Sequence, residues 1–201
     1  MTTRTFPDIR PTSMSWDLVS NTRQYVSPFT GAIQTEARGG QRWYVTMQFE
    51  NITSGDRATL QGFIAQVLGL SDNFTLYDRS YVRQGTGAVG TPLTVGAVTA
   101  GANSLDFDGV GAGLIDWLLP GDQFSVGGEL KMVTTAVDTD SSGEGTINFV
   151  PEMHSGVADN TTITLVNPTG IFRFAQPRIG WSTRAPIISS FSIECVEDVL
   201  A

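Results

Sequence analysis

Cysteine and histidine occur once each in 201 residues, as Cys195 and His154. A single thiol excludes an internal disulfide framework and any multi-cysteine zinc site, and a single imidazole leaves little room for histidine-based metal or triad chemistry. Bases are scarce as well: 12 Lys and Arg stand against 20 Asp and Glu, for a net charge of -8. Proteins that neutralise phosphates carry a basic surplus or stripe, so no sequence-specific nucleic acid partner is expected. Met1 to Pro11 hold no apolar stretch of signal-peptide length, and no run of about 18 apolar residues occurs anywhere. The expectation is a protein made in soluble form, with no membrane span, outside the general secretory route. Its sequons at Asn51, Asn73 and Asn160 then read as ordinary polar turns.

What is present suffices for a folded chain: 40% of residues are hydrophobic and only 16% are charged, which is not the composition of a disordered segment. Charge and glycine are unevenly spread. From Gln84 to Phe172 one base, Lys131, faces ten acids, for a net of -9, and the same stretch holds 15 of the 22 glycines. The flanks carry 11 bases and 10 acids. This predicts an acidic, glycine-rich module over 85–170 inserted into a nearly neutral module made of 1–84 and 171–201. The joins fall near Gly85 and Pro168 to Gly170, at loop positions where insertion is tolerated.

In the outer module Trp43, Val45, Met47 and Phe49 alternate with Tyr44, Thr46 and Gln48, the period of a half-buried strand. Leu60, Phe63, Ile64, Val67 and Leu68 form one apolar stripe at helical spacing, predicting a helix over about 54–68. Thr53 and Asp56 resemble a capping box with Asp in place of Glu, and Gly69 suits a left-handed C-cap. Phe191, Ile193 and Cys195 predict a C-terminal strand that pairs with the Trp43 strand or shares its sheet. The middle reads as short strands at 93–98, 123–126, 130–137, 146–150, 161–166 and 171–174, separated by turn sequences such as Pro120-Gly121-Asp122 and Asn167-Pro168. The expected class is mainly β: an antiparallel β-sandwich module with one α-helix, carrying an inserted second small β-sandwich or barrel.

Several patterns suggest chemistry, and each has a plainer reading. Gly85, Gly87 and Gly90 spell GxGxxG, but Pro92 and a β-like stretch follow where a dinucleotide site needs a helix, so a linker loop is expected. Asp138, Asp140, Ser142 and Gly143 imitate the start of a calcium loop, yet position 12 is Phe149 and a solvated hairpin tip is the better reading. His154 sits in a loop sequence and reads as a surface histidine. Cys195, on the apolar face of its strand, reads as a small hydrophobe. Asp106 and Asp108 share one face if 105–107 is extended, the nearest match to a glycosidase carboxylate pair. Trp117, Phe124, Phe149 and Trp181 either floor a sugar site or fill a core. No catalytic residue, cofactor or metal site is assigned, and the expectation is not an enzyme.

The segment Asn21 to Gln41 is different. It predicts a long β-hairpin with Pro28 and Gly31 at its tip, holding Arg23, Tyr25, Phe29 and Arg38. Such an arm either serves a partner surface, where Arg and aromatics are enriched, or packs on its own domain. The interface candidates are Arg23, Tyr25, Phe29 and Arg38.

The Ser15-Trp16-Asp17-Leu18-Val19-Ser20-Asn21-Thr22 segment, the long arm, the Arg42-Trp43 strand, the helix ending at Gly69 and Phe74-Thr75-Leu76-Tyr77-Asp78 together resemble the N-terminal part of distal tail proteins of long-tailed bacteriophages. The acidic segment, with Leu119-Pro120-Gly121-Asp122-Gln123-Phe124-Ser125-Val126, and the return strand at Phe191 look like the β-rich second module of that family. The resemblance implies a structural virion protein at the tail tip, assembled in the host cytoplasm. It would form a homohexameric ring that joins the tail tube protein to the hub and receptor-binding apparatus. The N-terminal module would build the ring and the second module would face outward, where host-surface glycans or fibres are possible partners. Alternatives of other classes are a carbohydrate-binding β-sandwich module, a tail tube subunit and an acid-base glycosidase using Asp106 and Asp108.

Overall fold

The structure, a computed structural model, describes residues 2–67, 69–87, 90–184 and 188–199, without the side chain of Ala37. In chain order the outer strands before the insert are β1 (Thr3–Thr5), β2 (Ser13–Val26), β3 (Ile33–Ile52) and β4 (Asn73–Tyr77), with α1 (Ser54–Val67) between β3 and β4. Then come β5 (Gly90–Thr94), β6 (Ser104–Val110), β7 (Gln123–Val126), β8 (Glu129–Val133) and β9 (Gly145–Val150). The chain ends with β10 (Thr169–Phe174), β11 (Trp181–Arg184) and β12 (Ile188–Glu197). The protein is mostly β, with two sheets and one helix among the described residues.

Alternation in β3 buries one face: Trp43, Val45, Met47 and Phe49 are each at most 3% exposed. β12 lies antiparallel beside it, with Phe191 opposite Phe49, Ile193 opposite Met47 and Cys195 opposite Val45, so the two one-faced strands are direct neighbours. The first sheet runs β1-β4-β10-β12-β3-β2, with β11 also paired to β12. It therefore joins strands from both ends of the chain across the middle segment. α1 lays Leu60, Phe63 and Val67 onto this sheet, where Phe63 meets Phe6, Phe74 and Phe174 at ring separations of 5.1, 5.4 and 6.2 Å. The helix starts as its sequence predicts. Thr53 Oγ1 accepts from the Asp56 amide at 3.2 Å and donates to the Asp56 carboxylate at 2.9 Å, and Gly69 adopts φ +70° just beyond the last turn. Leu68, expected on the apolar stripe, lies outside the described residues.

The second sheet runs β5-β6-β9-β8-β7 and encloses its own core of Phe107, Trp117, Phe124, Ile147 and Phe149. Strand ends shift from the sequence reading, with 93–98 found as Gly90–Thr94 and 130–137 as Glu129–Val133, and three segments depart further. β6 is a strand whose apolar residues, Leu105 and Phe107, alternate with carboxylates, Asp106 and Asp108; the acids drew attention away from the period. The 161–166 stretch pairs only through isolated bridges, because it lies between the two edge strands and serves both. Ile163 N donates to Pro92 O of the β5 side at 2.9 Å, and Ser125 N of β7 donates to Thr164 O at 2.9 Å. It covers edges that would otherwise be open. Finally, 171–174, counted above with the strands of the middle segment, is the end of β10 and sits between β4 and β12 of the first sheet.

The aromatic cluster makes the first core sensitive to truncation. Phe74 is fully buried against Phe6, Phe63 and Phe174. Phe74→Ala is expected to cost about 3–5 kcal/mol, read as a lower urea midpoint with an unchanged slope.

Candidate functional site: the arm and the module junction

β2 and β3 are far longer than their neighbours. β12 accompanies β3 only as far as Tyr44, and beyond Arg42 the two strands pair with each other alone. The paired residues Asn21–Val26 and 33–38 form a ribbon that reaches about 20 Å past the sheet, at ~3.3 Å per residue. Its tip is closed by Ser27 N donating to Ala32 O at 2.9 Å and by Gly31 at φ +66°. Phe29 at the tip is 97% exposed, Ile33 62%, Val26 60% and Tyr25 51%. The register sorts the side chains. Val26 faces Ile33 and Gln24 faces Thr35 on one side, which carries no charge; Tyr25 faces Gln34 and Arg23 faces Glu36 on the other. Of the residues predicted for an interface, Arg23, Tyr25 and Arg38 share the charged face and Phe29 occupies the tip. Val26 and Ile33 were missed, although a period-2 reading of the arm would have put them together.

Among the described residues the arm does not pack on its own domain and is held at its base. Val19 pairs with Arg42 but Asn21 with Arg38, so Ser20 faces Gly39, Gly40 and Gln41 in a bulge. Gly40 N donates to Glu152 Oε1 of the second module at 2.8 Å. A Cβ on Gly39 would come within 2.4 Å of that oxygen, so glycine is what permits the approach.

Glu152 leads to a polar cluster between the modules. The only lysine, Lys131, is fully buried and donates to Glu129 Oε2 at 2.6 Å and to the Glu152 carbonyl at 2.8 Å. Glu129 also accepts from the backbone amides of His154, at 3.0 Å, and Ser155, at 2.8 Å. The ion pair is thus hydrogen-bonded at both ends, which is the condition for a buried pair to persist. Next to it, Trp43 Nε1 donates to Leu130 O at 3.0 Å, and Glu197 Oε2 accepts from the Trp43 amide at 3.1 Å. Burial pushes the Glu197 carboxyl up to about 7, against the Trp43 amide and the Lys131 charge, which favour its ionised form. His154, expected on the surface from its loop, is half-buried, and its amide donates into the junction. Burial, with the Lys131 charge second, lowers its pKa.

A second buried carboxylate locks the incoming strand connection. Asp122 is fully buried and accepts from Tyr81 Oη at 3.2 Å and from the amides of Gln84, Gly85 and Leu119 at 2.7, 2.9 and 2.9 Å. Burial, opposed by a bond from the Gln123 amide, pushes the Tyr81 phenol up to about 12. Neither Asp122 nor the Lys131 cluster was singled out in the sequence, although Glu129 and Lys131 two apart in a strand place both charges on one face.

The other sequence candidates lie in turns, on strand faces and in the cores. Gly85 packs where a Cβ would lie 2.2 Å from Trp117 O, and Gly90 opens β5 with φ +111°, so these glycines serve backbone contacts. Asp140 turns inward to the amides of Ser142 and Glu144 at 2.7 and 3.0 Å; those two bonds, Glu144's foremost, hold its pKa below the usual value. Asp138 accepts from the Asp116 amide at 2.8 Å, and among the described residues no three His, Cys, Asp or Glu gather as a metal site. Asp106 and Asp108 do share the outer face of β6, with Asp106 bonded to Thr146 at 2.6 Å. Trp117, Phe124 and Phe149 are core residues, while Trp181 is half exposed in the first sheet, stacked on Phe191. Burial pushes the Cys195 thiol well up, which makes it inert. No protein-family model matches the chain, and no curated protein matches it significantly.

Lys131→Met should strand the Glu129 carboxylate and destabilise the protein by about 3–5 kcal/mol in chemical denaturation. Glu197 gives a pH dependence of definite sign. Its folded pKa lies above the usual carboxylate value, so its contribution is present in full below about 4.5 and is lost as pH rises through about 7. Glu197→Gln is expected to remove that loss, on the order of 3 kcal/mol between pH 5 and 8 in thermal or urea melts.

Proposed function

We propose that the chain is a structural subunit of a bacteriophage tail. Six copies close into a ring at the distal end of the tail, joining the tail tube to the hub and receptor-binding apparatus. The observation that carries this reading is the β2–β3 arm. An isolated two-stranded ribbon is marginal in water, and this one exposes Val26, Phe29 and Ile33, with no third strand or layer over them among the described residues. A segment of that kind gains its stability in an assembly. The order of elements around it, with the arm leading into the Trp43 strand and one helix following, is the order that resembles distal tail proteins. An arm that meets a different patch on its neighbour makes a heterologous contact, which closes into a ring when the rotation per subunit allows.

The test is the oligomeric state of the purified protein by light scattering coupled to size exclusion, with negative-stain images. A six-fold ring is expected. Replacing residues 22–37 by a two-residue Asn-Gly turn should give a folded monomer with an unchanged core. A full-length chain that is folded and monomeric at tens of micromolar overturns the reading.

A further inference from the structure

Charge is segregated between the arm and the second module. Between Val19 and Arg42 the arm carries Arg23, Arg38 and Arg42 against Glu36, for a net of +2. Arg38 is paired with Glu36 at 3.0 Å, and among the described residues Arg23 and Arg42 make no ion pair. The second module presents the opposite sign with nothing to dilute it. Its one base, Lys131, is fully buried and paired inside, whereas Asp106, Asp116, Asp138, Asp140, Glu144 and Asp159 are all exposed. Every exposed ionic group of 85–170 is therefore a carboxylate. In the arrangement seen the arm does not meet its own copy's module in this way: among the described residues, the hydrogen bonds of Asn21 to Arg38 run within the arm. Gly40 at its base makes the contact with Glu152.

We infer that the β2–β3 arm of one copy docks on the acidic module of the next copy, with Arg23 and Arg42 facing its exposed carboxylates and Phe29 seated at the contact. This rests on the ring reading and adds the identity of the two surfaces. Opposite potentials on donor and acceptor set the register of such a contact and oppose arm-to-arm and module-to-module pairing, which would bring like charges together. The uncharged arm face, with Val26 and Ile33, supplies the apolar area that surface ion pairs alone do not.

Two experiments decide it. In the first, Phe29→Cys is labelled with a benzophenone maleimide; Cys195 is buried, so the introduced thiol takes the label. After irradiation of a mixture of isotopically light and heavy chains, cross-links are expected between residue 29 of one copy and residues 85–170 of another. In the second, Arg23→Glu with Arg42→Glu, and separately Asp106→Asn with Asp116→Asn and Glu144→Gln, should each raise the concentration at which the ring dissociates by about tenfold or more. Mixed together, the two crippled variants should recover one intact contact and yield heterodimers. Circular dichroism and thermal melts of each variant establish that it is folded. A wild-type ring whose cross-links map to the neighbour's residues 1–84 or 171–201, or whose stability ignores both sets of charges, overturns the docking and leaves the ring standing. A wild-type monomer overturns both.

Discussion

Lys131 is the contact from which the arrangement of the two modules follows. An ammonium with no exposure persists in a protein only where carboxylate and carbonyl oxygens replace its hydration shell, and here Glu129 and the Glu152 carbonyl do so. Fixing that carbonyl fixes residue 152, whose carboxylate in turn receives the Gly40 amide at the base of the arm. One buried charge thus sets the position of a loop in the second module, and that loop sets the angle at which a ribbon of the first module leaves the sheet. Trp43 ties the same region from the other side, its indole on Leu130 and its amide on Glu197. Among the described residues the arm is held at its root and pairs along its length only with itself.

The junction also explains why the second module can be acidic without cost to the fold. Its carboxylates divide into those that are buried and satisfied and those that are exposed. Asp122 receives four donors and Glu129 a lysine with two amides, so neither relies on water. Glu152 is half-buried and receives the Gly40 amide, and most of the others stand in solvent, where mutual repulsion is screened over about 8–10 Å at ordinary ionic strength. Glu197, of the outer module, differs from all of these: buried, with its Oε1 unpartnered among the described residues, and raised to about 7, it lies against Trp43 next to the Lys131 cluster. Burial opposes its ionisation, and the Trp43 amide and the Lys131 charge favour it.

Much of this fold was legible because periodicity survives wherever one face is buried. The Trp43 strand, the Phe191 strand and the single helix each obeyed a period that their burial then matched. The reading failed where a strand owes its place to both edges at once, as in 161–166, or where its polar positions are all acids, as in β6. Neither case lacks a pattern; in each the pattern is set by partners far away in sequence. The arm was legible as a hairpin from Pro28, Gly31 and its length, but its two faces were not, since Arg23, Tyr25 and Phe29 stand out by type whereas Val26 and Ile33 stand out only by register. The Lys131 cluster was the least legible. One lysine among ten acids looks like a residual surface charge, and only the tertiary packing of β8 under the first core reveals it as a buried, paired ion.

Sign and shape together restrict what the arm can meet. Its charged face opposes anionic surfaces, its other face needs apolar or neutral ones, and the nearest supply of unmixed negative charge is a second copy of the chain. Nucleic acid also offers negative charge, but any such duplex or strand would approach a protein of net charge -8 whose second module repels it. In the docking inferred above, a neighbouring copy would meet no such barrier, because its acid would face the arm alone. The uneven distribution of charge along the sequence therefore does more than mark a module boundary: it would give the inferred head-to-tail contact its polarity, with the arm's arginines on one module and exposed carboxylates on the other.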